Sequence, residues 1–324
     1  MTAYKTEKII EGGLRNSLRR LAEVPKSPVI FTQKQLLRMD SLRKSMRSEY
    51  SFSYKDINLY TSEKFAQMKS MVVESTDDLD LVKITIGGKS IFWPKVIPAK
   101  TLPWLFHEIF DPFDDNPSSY DHPDLDFSNR AWVMDAGAAE GYFSLFSLER
   151  SVKKILCVEP LSIMRTALDK TLDLHAHSHD AIVVTSALGS VSGSTEMEID
   201  YDSICDAFIQ LESGSFKGNA GNLKVDEIER VSISTIDQLA SEYDLGERGL
   251  IKMDIEGFEM EAMKGAKALL REHKPALAIA VYHALENANE CARIIKSANP
   301  DYTIEFRGFY GYFNPPRPYM LFAT

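Results

Sequence analysis

The sequence predicts an α/β fold: a parallel sheet covered by helices on both faces, preceded by a helical and β extension. Three observations predict it. From residue 132 onward, short apolar runs alternate with amphipathic stretches of about a dozen residues, the rhythm of parallel strands joined by crossover helices. One run, Trp132-Val133-Met134, ends in Asp135 and enters a turn of small residues, Gly137-Ala138-Ala139-Glu140-Gly141. Four of the runs end in a polar residue, Asp135, Glu159, Asp254 and His283, which a parallel sheet gathers at its carboxyl edge.

Length and composition set the outer limits. The chain has 324 residues, 44% of them hydrophobic, enough for a full core and room for two domains. No apolar run approaches the roughly 18–20 residues needed to cross a bilayer. The opening MTAYKTEKIIEGG lacks the charged-then-apolar order of a secretory signal, so a cytoplasmic protein is expected. Cys157, Cys205 and Cys291 are far apart, with neither metal-ligand spacing nor a disulfide framework. The net charge of −10 is uneven: residues 1–70 carry 14 Lys and Arg against 7 Asp and Glu, the remainder 23 against 40. A basic arm beside an acidic body is one signature of nucleic-acid binding. A helical cap lying against that body, or against a second copy of the chain, is the simpler account, and no nucleic-acid partner is expected.

Taken in order, Ile9, Ile10, Leu14, Leu18 and Leu21, and again Leu36, Leu37, Met39 and Leu42, recur at helical spacing on either side of Pro25 and Pro28. Apolar runs at 81–86 and 90–93 flank Gly87-Gly88, a hairpin turn. Residues 111–126 are rich in Asp, Pro and Ser, follow neither period, and lack the strict spacing of a calcium loop; they read as a solvated acidic linker. The chain thus divides into an N-terminal cap, short β section and linker, 1–126, and a main domain, 127–324. Strands are expected near 132–134, 155–158, 181–185, 194–200, 231–233, 250–253, 276–282, 303–306 and 319–322. Helices are expected from 142 and over 161–175, 235–243, 258–273 and 285–297. Residues 201–224, with Gly214, Gly218 and Gly221 among serines and asparagines, read as a mobile insertion.

The turn after Asp135 is spaced D-x-G-x-x-x-G, not the G-x-G-x-x-G of dinucleotide folds. Its glycines let the backbone approach a ligand, and the helix opening at Tyr142-Phe143 aims its first N–H groups there. An acid at the strand end would repel a pyrophosphate. It suits a ligand offering a cation or hydroxyls, such as the methionine part of S-adenosylmethionine. Glu159 ends the next strand, where an ionised carboxylate can accept from both hydroxyls of a ribose. Ser186 and Ala187 are small enough to border an adenine ring. Asp254 and Glu256 bracket a turn at Gly257, with Glu259 placed to cap the following helix. His283 titrates near neutrality and is a candidate general base. The aromatic residues Phe309, Tyr310, Tyr312 and Phe313 suit either a sugar-facing surface or the core.

The segments DAGAAEGYFSL, VEP, STIDQL, IKMDIEGFEMEAMKGA and LAIAVYH, in this order across roughly residues 130–324, resemble the FkbM family of S-adenosylmethionine-dependent methyltransferases. The resemblance implies a class I methyltransferase (Rossmann-like) fold: a seven-stranded, mostly parallel sheet with the last strand antiparallel. By position it implies that Asp135, Gly137, Ala138 and Gly141 form the cofactor loop, that Glu159 holds the ribose, and that Asp254 lies beside the methionine end. Glu140, Tyr142, Phe143, Ser186 and Ala187 are taken as further cofactor contacts. Ala139 stands where many class I methyltransferases carry a glycine, so this turn must accommodate a Cβ.

The expected function is O-methyl transfer to a hydroxyl of a sugar or polyketide-like natural product, a small molecule or glycan, with Asp254 and His283 catalytic and no resident metal. One rival is a magnesium-assisted O-methyltransferase with Asp254 as a ligand. Another is a non-catalytic module that binds RNA or a protein partner through the basic segment, and the N-terminal helices could also join two copies of the chain. A nicotinamide dehydrogenase conflicts with the turn spacing.

Overall fold

The computed structural model describes residues 28–60, 70–76, 78–116, 118–175, 180–202, 208–210 and 225–324. The helical piece expected over 9–21 and most of the insertion expected over 201–224 lie outside the described residues.

Helices α1 (Pro28–Ser45) and α2 (Tyr54–Tyr60) come first. On α1, Leu42 packs against the core, whereas Leu36 and Met39 are exposed. Strands β1 (Met71–Ser75), β2 (Leu81–Ile86) and β3 (Lys89–Pro94) form an antiparallel meander. Gly87 and Gly88, at φ of 56° and 82°, close its second hairpin, as their positive φ preference predicts. Helix α3 (Leu102–Phe110) turns Leu102, Phe106, Glu108 and Ile109 inward.

Residues 111–126 are not a solvated linker. Asn116, Ser118, Ser119, Tyr120, His122 and Leu125 are buried. The polar members bond within the segment and to α3: Asn116 Oδ1 accepts from Ser118 N and Oγ, and Asn116 Nδ2 donates to the His107 carbonyl. Composition reports polarity, but burial depends on whether the polar groups find partners, and here they do.

From residue 132 the strands are β4 (Trp132–Ala136), β5 (Ile155–Val158), β6 (Ala181–Val184), β7 (Ser186–Leu188), β8 (Gly193–Ile199), β9 (Phe208–Gln210) and β10 (Glu227–Ser234). Then come β11 (Gly249–Met253), β12 (Ala276–Ala280), β13 (Ile304–Arg307) and β14 (Met320–Ala323). The intervening helices are α4 (Tyr142–Glu149), α5 (Ser162–Leu174), α6 (Ile236–Glu242), α7 (Glu259–Lys264), α8 (Lys267–Glu272) and α9 (Asn287–Ala298). Seven strands make the central sheet in the order β13-β14-β12-β11-β4-β5-β6. All run parallel except β14, which is antiparallel to both neighbours. This is the class I methyltransferase sheet. A smaller sheet, β7-β10-β8-β9, stands beside it.

Strands β4, β5, β11, β12 and β14 are buried at every residue, which is why they read as unbroken apolar runs. Their side chains still alternate. Val133, Ile155, Cys157 and Leu250 join the cluster containing α4 and α5, while Met134, Leu156, Val158 and Ile251 join the one containing α6 to α9. The N-terminal segment belongs to the first cluster: Trp93, Phe106, Ile109 and Tyr120 share it with Phe143, Phe146 and Met164. Phe92 N donates to Thr171 Oγ1 at 2.9 Å, tying β3 to α5.

The single helix expected over 258–273 is two. It ends at Gly265, and a new N-terminus opens at Lys267, capped by Asp237, whose carboxylate accepts from Ala268 N and Leu269 N at 2.9 Å each. Phe309, Tyr310, Tyr312 and Phe313 are buried, with Phe309 and Tyr312 edge-on to Tyr60. They belong to the core rather than to a sugar-facing surface.

Register sets up the site. Ala136 stands opposite Val158 and Met253, and Met253 opposite Ile279. The carboxyl ends of four strands are level, so the turns leaving them meet.

Candidate active site

The turn after β4 is held from below. Asp135 and Lys252 are register partners on adjacent strands, so their side chains share a face. Lys252 Nζ lies 3.0 Å from Asp135 Oδ1 and donates to the carbonyls of Gly137, at 2.7 Å, and Ala136, at 3.4 Å. Asp135 Oδ2 accepts from Ser144 Oγ at 2.7 Å. Burial opposes the ammonium charge, but the Asp135 and Asp254 carboxylates outweigh it and raise the Lys252 pKa.

Gly137 sits at φ 76°, and a Cβ there would come within 2.0 Å of the Asp254 carbonyl oxygen. The turn after β4 can therefore touch the turn after β11 only through a glycine. Ala139 takes a left-handed φ of 45°, the conformation a glycine would adopt without strain. Its N–H donates to Glu159 Oε2 at 3.0 Å, and Leu161 N donates to Glu159 Oε1 at 2.9 Å.

Above this floor lies a cleft. It is lined by Gly137, Ala138, Ala139 and Glu140 of the turn, by Phe143, Glu159, Ser186 and Ala187, and by Lys252, Asp254 and Glu256. The opposite wall comes from the N-terminal segment: Trp93, Leu105, Glu108, Ile109 and Tyr120. Of the residues expected at the site, Asp135, Gly141, Tyr142 and His283 do not line it. Asp135 lies beneath the turn. Gly141, at φ 93°, faces Leu168 and Thr171 of α5. Tyr142 is fully buried, edge-on to Phe106 and Phe110.

The cleft is rich in buried acids. Burial pushes Glu140 and Glu159 each up to about 7. Burial, reinforced by the Asp254 carboxylate, pushes Glu108 up to about 8; its Oε1 accepts from Trp104 Nε1 at 2.7 Å. Asp254 is raised too, chiefly by burial, and its Oδ2 accepts from Tyr120 Oη at 3.1 Å. Three buried oxygens of the cleft residues, Glu140 Oε2, Ser186 Oγ and Asp254 Oδ1, make no hydrogen bond. Together with the glycine-floored turn, they leave acceptors and a donor for a polar ligand, and so the residues fit a nucleoside such as S-adenosylmethionine.

His283 stands behind Asp254, among carboxylates. Nε2 lies 3.5 Å from Asp254 Oδ1 and 3.3 Å from Glu256 Oε2, and Nδ1 lies 3.2 Å from Glu259 Oε1. Burial alone would lower its pKa, but Glu259 and Glu256 raise it well above the ordinary histidine value. An imidazole that keeps its proton at neutral pH has no lone pair to act as the general base expected of it. Glu259 is the anchor of this turn: it accepts from Ile255 N, Gly257 N and Asn287 Nδ2. Glu259 stands in the first turn of α7, but these bonds tie down the turn before the helix rather than cap its N–H groups.

Glu108, Tyr120 and Lys252 are the site residues that sequence reasoning missed. A lysine inside an otherwise apolar strand was a signal for the last. The first two carry none, because only the packing of the N-terminal segment brings them to the cleft.

A sequence model described as the methyltransferase FkbM domain matches residues 135–314, more than half of the chain. The comparison with curated proteins gave no match. Among solved structures, the chain is similar to the methyltransferase FkbM from Methylobacillus flagellatus KT, at 23% identity and a TM-score of 0.46 over 68% of this chain. It spans about half, 50%, of that protein's chain. It is also similar to a SAM-dependent O-methyltransferase from Thermotoga maritima, at 13% identity and a TM-score of 0.37 over 75% of this chain and 76% of that one. A third similarity is to Trm5b from Pyrococcus abyssi, at 9% identity and a TM-score of 0.38 over 79% and 61%. Among the described residues no helix is long and apolar enough to cross a membrane. With the strand order and the glycine turn already in place, the sequence match assigns the chain to the FkbM family of S-adenosylmethionine-dependent methyltransferases.

Proposed function

We propose that this protein transfers the methyl group of S-adenosylmethionine to the hydroxyl of a small-molecule or glycan acceptor held in the same cleft. The observation that carries the reading is the cleft's two-sided construction, a cofactor-type turn with Asp254 beside it on one side and Glu108 and Tyr120 facing them from the other.

Bound S-adenosylmethionine supplies a methyl already activated by its sulfonium, and the acceptor oxygen takes that methyl as the carbon–sulfur bonding pair returns to sulfur. The protein's work is alignment and proton removal. Glu159 receives the ribose hydroxyls, with its carboxylate pre-oriented by the N–H groups of Ala139 and Leu161. Ser186 and Ala187 border the adenine, and Glu140 and Phe143 complete that side. Asp254 takes the acceptor's proton. Burial raises its pKa, which makes it a better proton acceptor than an exposed aspartate, and Tyr120 fixes the carboxylate. His283 positions Asp254 by charge.

Calorimetric titration with S-adenosylmethionine and S-adenosylhomocysteine tests the reading, with Glu159→Gln as control. Micromolar binding weakened by the substitution supports it and justifies screening sugar and polyketide hydroxyls by product mass. A folded protein that binds neither ligand refutes it.

A further inference from the structure

The group behind the cleft is short of positive charge. Asp254, Glu256 and Glu259 all approach one imidazole, and Lys252, which also acts on Asp254, is itself bonded to Asp135. One imidazole facing three largely buried carboxylates leaves excess negative charge where desolvation makes it costly.

The donor atoms are spaced for an ion. One atom each from Asp254, Glu256 and His283 lie within 4.8 Å of one another. Nε2 is 3.5 Å from Asp254 Oδ1 and 3.3 Å from Glu256 Oε2. Two ligands bound at about 2.1 Å, with about 90–109° between them, lie about 3.0–3.4 Å apart, so the two pairs that share Nε2 already stand close to the spacing of ligands around one cation. Neither Asp254 Oδ1 nor His283 Nε2 makes a hydrogen bond, although both are buried. On the far side of the ring, Glu259 faces Nδ1 at 3.2 Å and is itself pinned by two backbone N–H groups and Asn287. A carboxylate behind a ligating histidine is the usual device for orienting the ring toward a metal.

We propose that Asp254, Glu256 and His283 Nε2 bind one divalent transition-metal ion at the end of the cleft, the ion displacing the Nε2 proton to solvent while Nδ1 keeps its proton toward Glu259. Two carboxylates and an imidazole suit Mn²⁺, Fe²⁺ or Zn²⁺ better than the all-oxygen preference of Mg²⁺ or Ca²⁺. Asp254 and Glu256 line the cleft while His283 lies behind them, so the ion's open positions face the acceptor. There it polarises the hydroxyl and eases loss of its proton. That role rests on the methyl-transfer reading; the binding site itself does not.

The test is titration of the full-length, chelator-treated protein with Mn²⁺, following the spin resonance of the free ion. One ion bound per chain is expected, with affinity reduced at least about tenfold in Glu256→Gln and in His283→Gln. S-adenosylhomocysteine binding, measured on the same samples, verifies that each variant is folded. Wild-type protein that binds S-adenosylhomocysteine but leaves Mn²⁺ free overturns the metal site, as does a Glu256→Gln variant that binds Mn²⁺ like wild type. Mn²⁺ binding lost in both variants, from a chain that ignores both cofactor forms, would sustain the metal site and remove the methyl-transfer reading.

Discussion

Lys252→Met removes an ammonium and keeps most of the side chain's length. The Asp135 side chain is fully buried and that of Lys252 is 7% exposed, so water cannot screen what is lost. Asp135 Oδ1 loses its partner at 3.0 Å, and the carbonyls of Gly137 and Ala136 lose their donor. Breaking a buried pair from one side costs about 3–5 kcal/mol. Urea unfolding followed by circular dichroism at pH 7 measures it. The double variant Asp135→Asn/Lys252→Met leaves no unpaired charge and should recover at least about 2 kcal/mol relative to the sum of the single changes. A loss below about 1 kcal/mol at pH 7, or simple additivity, would refute the view that this pair holds the turn.

Further outcomes are expected. Glu159→Gln should weaken S-adenosylmethionine binding about 10–100-fold, the worth of hydrogen bonds to a charged acceptor, with a small change in melting temperature; undiminished affinity in calorimetry would remove Glu159 from the ribose. Because burial holds Glu140 and Glu159 at about 7, they lose charge on acidification, and affinity should fall about tenfold between about pH 8 and pH 6. For stability these two groups act the other way. Their folded values lie above the unfolded value, so their contribution is most favourable in acid and is lost as pH rises through about 7; a Glu140→Gln/Glu159→Gln variant should show a shallower fall in melting temperature over that interval. Gly137→Ala should abolish cofactor binding, because its Cβ meets the Asp254 carbonyl at 2.0 Å, whereas Ala139→Gly should change stability by no more than about 1 kcal/mol, in the stabilising direction.

The strands of the central sheet were legible because burial on both faces writes them as unbroken apolar runs, and the polar residue at each run's end marks the edge where a ligand binds. Asp135 and Lys252 illustrate the limit. Each was visible as a charge in an apolar strand, but only the pairing of β4 with β11 joins them into one ion pair. His283 was read as an isolated titrating group, and its behaviour is set by three carboxylates, one of them Glu259, 24 positions earlier. Residues 111–126 misled because a run of aspartates, prolines and serines looks the same whether its polar groups bond to water or to each other. Glu108 and Tyr120 were invisible for a different reason: long-range packing rather than any local pattern brings α3 and the segment after it over the turn.

That last feature bears on where the protein can be cut. The recognisable family sequence begins at Asp135, yet Trp93, Leu105, Glu108, Ile109 and Tyr120 precede it and form one side of the cleft. A fragment trimmed to the recognisable boundary would uncover Tyr142, Phe143 and Phe146, an apolar surface prone to aggregation. The unit of folding is therefore longer than the unit of recognition. The half of the cleft that faces the glycine turn lies outside the span that the family sequence covers.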